Sequence, residues 1–245
     1  MRYDRGMTRT FGTLLAIALA GAIAMVVHAA SELLPITAAT SVAGVQTAAE
    51  RVVGLFAAAT GDVLGFEPPA PAVAIRNTPN LAYYDPRSGT IVIAHWPTLD
   101  TELRAFFLGL SDTEEHAGAL FVALFNEFLV AHEMGHWVQR GLRVARDRYG
   151  AEREANDIAV AFFRTVEGGE ARLVELHTRV RAALERLPDP TPIGADERQF
   201  FNERYAELAT NPAAYGYYQF RFILASIDAR EQLDFTGLLR RMVEE

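Results

Sequence analysis

His132, Glu133 and His136 stand in an HExxH pattern, His132-Glu133-Met134-Gly135-His136, inside an apolar, helix-forming run from Leu120 to Val138. Side chains four apart on a helix share a face, so both imidazoles can present a nitrogen to one metal ion. Glu133, beside them, is the residue type that takes a proton from an attacking water as a general base. Two neutral nitrogens, a third ligand and one open position describe a catalytic zinc site. The chain holds six His and no Cys. That excludes disulfides, thiolate metal sites and a Cys nucleophile, and leaves His, Asp and Glu as ligands.

The third ligand must come from elsewhere. A His six residues beyond His136 would extend the motif, but Leu142 occupies that place and Gln139 stands where the longer motif has glycine. Glu152 is the better candidate, in Gly150-Ala151-Glu152-Arg153-Glu154-Ala155-Asn156-Asp157. Ala155, Ile158, Ala159 and Phe162 set the apolar face of this helix. At about 100° per residue, Glu152 and Asn156 lie on the edge of that face, whereas Arg153 and Asp157 point away and Glu154 sits on the opposite edge. Asn156, one turn on, is placed to hold the carboxylate or a ligating imidazole. The competing account of these acids is a solvated patch at a helix amino terminus. A further donor should stabilise an oxyanion. Tyr218, Arg221 and His177 are the candidates, with Tyr215 and Tyr217 beside them, although tyrosines spaced with Phe220, Phe222 and Leu224 also pack cores. His95 and His116 fall outside any ligand spacing and read as structural.

The elements that must position these residues follow from periodicity. Ser41 to Phe56 has helical apolar spacing. Glu67 to Pro71 is a Pro-rich break after which the ordered domain begins its sheet. Val73 and Ile75 alternate. Leu81 to Tyr84 and Thr90 to Ala94 flank Asp85-Pro86-Arg87-Ser88-Gly89 as a hairpin. Leu81 to Tyr84 is the edge along which an extended peptide could align, the alternative being a purely structural hairpin. Ser111 to Glu114 reads as a capping box opening a helix that runs through the HExxH to Gln139, with Gly141 stopping it. Helices are expected from Ala151 to about Val166, Glu170 to Leu187, Asp196 to Leu208, Tyr215 to Ile227 and Glu231 to Val243. The expected class is α+β and mainly helical, a small antiparallel sheet ahead of the HExxH helix, the Glu helix and a helical carboxyl-terminal part.

This arrangement resembles the gluzincin metallopeptidases, in which an HExxH helix is followed by a second helix bearing a Glu ligand. It is most similar to exported bacterial metallopeptidases of poorly characterised function, which carry HExGH, then G-x-E-x-x-A-x-D, then D-E-x-R-F-x-N. Gly150, Glu152, Ala155 and Asp157 match the first of these later patterns. Asp196-Glu197-Arg198-Gln199-Phe200-Phe201-Asn202 matches the second, with Arg198 and Gln199 in swapped order. The resemblance spans Phe121 to Asn202, roughly a third of the chain. It implies a zincin-like fold and Zn2+-dependent hydrolysis of peptide bonds in proteins or peptides, with His132, His136 and Glu152 as ligands and Glu133 as base. In the wider group an Asp often supports a ligand from the Glu helix, which leaves that role between Asn156 and Asp157.

At 245 residues, half of them hydrophobic, the chain suits one sizeable domain plus a targeting segment. A formal charge of -8 and the lack of a basic cluster with aromatics speak against a nucleic-acid partner. Arg2, Arg5 and Arg9 precede an uncharged apolar run from Phe11 to Val27, and Val27-His28-Ala29 and Ala30 follow. Residues 1–30 therefore read as a signal peptide cleaved after Ala29 or Ala30, or as a membrane anchor. Either way the segment engages the membrane or the export machinery and puts the rest outside the cytoplasm, periplasmic or secreted. Residues 31–66 form a helical amino-terminal segment that could cover the site as a pro-segment, and 67–245 the metallopeptidase domain. Two other accounts stand beside this one. One is a noncatalytic domain that binds metal or a partner, which has no chemical need for Glu133. The other is an ordinary core helix carrying two satisfied histidines.

Overall fold

The computed structural model describes residues 41–65 and 69–245. The segment expected to be a signal or anchor, residues 1–30, lies outside the described residues, as do 31–40 of the stretch after it. Helix α1, Val42–Leu64, starts where the Ser41 hydroxyl accepts from the Gly44 N–H. It runs past the expected end at Phe56 to Gly65, whose φ of 73° closes the last turn in the left-handed region that glycine enters freely. Val45, Ala49, Val52, Val53 and Phe56 bury its apolar face.

Strands β1 (Ala72–Ile75), β2 (Ala82–Asp85) and β3 (Thr90–Ile93) make a sheet of order β1-β3-β2. β2 and β3 form the expected antiparallel hairpin, with Gly89 N–H closing the loop on the Asp85 carbonyl. β1 pairs with β3 in parallel, so the sheet is mixed rather than antiparallel. The cause is the link from 76 to 81, which turns the chain back across the end of β3 and leaves the slot between β1 and β2 for it. Ile91, Val92 and Ile93, the most apolar run, thereby gain a partner on each side and are fully buried.

Helix α2, Thr101–Gly109, was not anticipated; Asp100 caps it and Leu103 and Phe107 anchor it. Helix α3, Glu114–Phe121, is capped by Thr113 and not by Ser111. It passes without a break into a π-helical stretch, Val122–Phe128, and then into α4, Leu129–Leu142. Gly141 does not stop α4: Arg143 does, with φ of 59° and the Val144 N–H returning to the Gln139 carbonyl. This run is long and apolar enough to cross a membrane, but 78% of its most apolar window is buried inside the protein, as befits a core helix.

Helix α5, Arg148–Phe163, begins three residues earlier than expected because Asp147 caps it by accepting from the Gly150 N–H. Then follow α6 (Gly169–Leu184), α7 (Glu197–Leu208, capped by Asp196), α8 (Pro212–Asp228, capped by Asn211) and α9 (Phe235–Glu244, capped by Asp234). The class is α+β and mainly helical. One core gathers α1, the sheet, α4, α5 and the inner faces of α6, α8 and α9. A smaller one joins Phe201 and Leu208 of α7 to Tyr218 and Phe222 of α8.

Candidate metal centre

The histidines sit one turn apart on α4, His132 buried and His136 half-buried, with their rings edge to face at 4.7 Å. Helix α5 crosses α4 closely enough to bring a third group to them. Gly135, between the histidines, makes that crossing possible: a Cβ there would stand 3.0 Å from Cα and 3.1 Å from the carbonyl oxygen of Ala155. With only hydrogen at that point, Glu152 Oε2 comes to 3.3 Å from His132 Nε2 and 3.7 Å from His136 Nε2. One donor atom from each residue lies within 4.8 Å of the other two.

These separations suit one divalent ion. Metal–ligand bonds of about 2.0–2.1 Å in a tetrahedron imply donor–donor edges of about 3.3–3.4 Å. Two edges here are 3.3 and 3.7 Å, and the third is no longer than 4.8 Å. Two imidazoles and a carboxylate are also a donor set that first-row divalent ions accept.

Charge is organised around the same three groups. Burial opposes a charged His136, yet the Glu152 carboxylate, helped by Glu133 and Gln139, raises its imidazole to about 9. Burial alone would push the Glu152 carboxyl up, but hydrogen bonding and charge from His132 and His136 outweigh it and hold it well below the carboxylate range. Without a metal ion the cluster sets a charged His136 against an ionised Glu152, and the His136 proton must leave before three donors can face one ion.

Outer groups orient the inner ones. Gln139 Oε1 lies 2.8 Å from His136 Nδ1, which leaves Nε2 facing Glu152, and the Gln139 amide donates to the Ala151 carbonyl and to Glu154. Gln219 on α8 donates to Glu152 Oε2 at 2.8 Å and to the Tyr215 hydroxyl at 3.0 Å. Glu133 is buried, and its Oε2 accepts from the Tyr84 N–H of β2 at 2.8 Å. β2 is an edge strand, and this amide is turned toward α4 instead of toward β3.

The expected supporting residues fare differently. Asn156 donates to the Glu152 backbone carbonyl, not to its carboxylate. The Oδ1 of Asn156 and the Nδ1 of His132 are both buried without a hydrogen-bond partner. Asp157 accepts from Ser226 on α8 and pairs with Arg153, so it ties two helices together. Tyr218 packs in the smaller core with its hydroxyl 2.6 Å from Thr191 Oγ1. Arg221 pairs with Glu197, and His177 with Asp228. These three oxyanion candidates are engaged away from the cluster.

Two other phenols face it. Burial first, then the charge of Glu152, raise Tyr215 well above the usual phenol range. Tyr205 of α7 adjoins Tyr215, the rings 6.1 Å apart. Burial and then Glu152 raise it too, with Glu133 adding to the rise and Tyr215 and Arg148 opposing. Sequence reasoning named Tyr215 only in passing and missed Tyr205 and Gln219. A polar Gln219 four residues after Tyr215 in an otherwise apolar helix was the available signal.

Comparison with known protein families, characterised proteins and solved structures gives no match.

Proposed function

We propose that this chain is a zinc-dependent metallopeptidase with a zincin-like domain of the gluzincin kind, hydrolysing peptide bonds in peptides or proteins outside the cytoplasm. The observation that carries this reading is the convergence of His132, His136 and Glu152 within 4.8 Å, with Glu133 next to the first of them in sequence. His132, His136 and Glu152 would hold the ion. When bound, zinc supplies a Lewis acid that polarises the scissile carbonyl and acidifies water.

The chain's own groups do the rest. Glu133 takes the proton of the attacking water and passes it to the leaving amine. Its Oε2 is held by the Tyr84 amide, which leaves Oε1 as the proton-accepting atom. Gln139 keeps the His136 ring oriented, and Gln219 holds the Glu152 carboxylate in place. Tyr205 and Tyr215 supply the phenol donors from which an oxyanion would draw a hydrogen bond. The outward N–H groups of β2 are already engaged, Tyr84 by Glu133 and Ala82 by the Asn80 carbonyl, so an extended substrate would align on this edge through the strand's carbonyls. The amino-terminal segment engages the membrane or export machinery, and the acidic surface disfavours nucleic acid.

The test uses the purified full chain, loaded with zinc and given a mixed peptide library read by mass spectrometry. Hydrolysis by the unaltered protein and none by Glu133→Gln, with both binding one zinc, is the expected result. Zinc in both proteins and hydrolysis by neither would favour a noncatalytic metal-binding domain.

A further inference from the structure

We propose that Arg148 and Tyr205 form an anchor for the free carboxylate at the C-terminus of a peptide, so that the cleft trims peptides from that end. This rests on the peptidase reading above and narrows its substrate class.

Arg148 is the first residue of α5 and lies four residues before Glu152, hence one turn away on the same face. Its guanidinium stands over the ring of Tyr205, 4.9 Å from the centroid. Three nearby arginines are committed to acids: Arg146 to Glu154 and Glu245, Arg153 to Asp157, Arg198 to Asp147. Among the described residues no carboxylate lies within ion-pair distance of Arg148; the same holds for Arg140 and Arg143, but of the three Arg148 alone stacks on an aromatic ring, that of Tyr205.

Tyr205 joins this cation to the metal centre. Besides burial, the charges of Glu152, Arg148 and Glu133 all act on its phenol. It also adjoins Tyr215, whose hydroxyl takes a hydrogen bond from the same Gln219 amide that holds Glu152. Stacking pre-orients the planar fork of the guanidinium, which matches a carboxylate with two parallel hydrogen bonds. Among the described residues no acid completes this pairing, which leaves the fork open to a carboxylate brought by the substrate. Arg148 and Glu152 lie one turn apart on α5, and an extended peptide spans about 3.3–3.6 Å per residue, so a carboxylate held at Arg148 places the scissile bond within a few residues of the peptide's end. The expected products are short C-terminal fragments.

The experiment compares peptides identical except for a free or an amidated C-terminus, on the zinc-loaded full chain. Amidation should lower kcat/KM by about ten- to a hundredfold, the range of a charge-assisted pair, mainly through KM. Arg148→Gln should bring the free acid down to the level of the amide, and Arg148→Lys should restore part of the difference. Calorimetric binding to the zinc-loaded Glu133→Gln protein should show the same preference without turnover, lost when Arg148→Gln is added. Equal cleavage of acid and amide, or a preference that survives Arg148→Gln, overturns the anchor alone. No cleavage of either form overturns the peptidase reading and the anchor with it.

Discussion

Replacing Gly135 by Ala tests how tightly the two helices that carry the His-His-Glu cluster are coupled. The new methyl would stand 3.0 Å from Cα, 3.1 Å from the carbonyl oxygen and 3.2 Å from Cβ of Ala155. Carbon atoms ordinarily rest about 3.5–4.0 Å apart, so α4 and α5 must separate by about half an ångström. Two terms oppose each other in the metal-free protein. Ala is better than Gly in a helix by about 1 kcal/mol, whereas overpacking a filled core costs about 1–3 kcal/mol. The net is a loss of up to about 2 kcal/mol, or up to about 8 °C in Tm for a chain of this size. The metal site is the more sensitive reporter. Its histidines ride on α4 and Glu152 on α5, while ligand distances tolerate only about 0.2 Å of error. Zinc affinity should fall by at least about tenfold, on the scale of losing an orienting partner. Competition against a chromophoric chelator measures the affinity, and thermal denaturation of the metal-free protein measures the packing. Unchanged zinc affinity in Gly135→Ala would refute the claim that this contact sets the ligand geometry.

Further outcomes follow from the charges around the site. Because His136 is raised to about 9 in the metal-free protein, it is protonated at pH 7.5 and zinc must displace that proton. Calorimetry in buffers of differing ionisation enthalpy should show about one proton released, and apparent affinity should fall as pH drops below about 9; no buffer dependence contradicts this. In the metal-free protein the same raised imidazole adds stability that is complete below about 6.5 and lost as pH rises through about 9. Gln139→Leu removes the acceptor at His136 Nδ1 and should weaken zinc binding by about ten- to a hundredfold, with Gln139→Glu keeping more of it. Burial raises Glu127 to about 7 against the pull of Arg172. The folded state therefore binds the extra proton, and stability should fall by up to about 3 kcal/mol as pH rises from about 4.5 to 7. Urea titrations across that range should show the slope, and Glu127→Gln should abolish it.

The grouping of His132, His136 and Glu152 was legible because it depends on short-range geometry. HExxH places two imidazoles by helical spacing alone, and the apolar face of α5 singles out Glu152 over Arg153, Glu154 and Asp157. Helix boundaries slipped where capping chemistry lay just outside the periodic run. Asp147 opens α5 early, and Arg143, a residue without an obvious left-handed preference, closes α4 after Gly141. The π-helical stretch at Val122–Phe128 leaves no mark on an apolar pattern already rich enough to fit either winding. Partners distant along the chain were out of reach. Tyr84 reaches Glu133 through its backbone, which carries no side-chain signature, and Gln219 meets Glu152 only because α8 packs on α5. The parallel pairing of β1 with β3 depends on how the link from 76 to 81 crosses the sheet, which strand propensity does not encode.

Zinc content of the full chain after exhaustive dialysis is the most direct test of the central claim, that α4 and α5 together grip one divalent ion. The account predicts one equivalent of zinc in the unaltered protein and in Glu133→Gln, and its loss in Glu152→Ala. No stoichiometric zinc, or an equivalent that persists in Glu152→Ala, would contradict it.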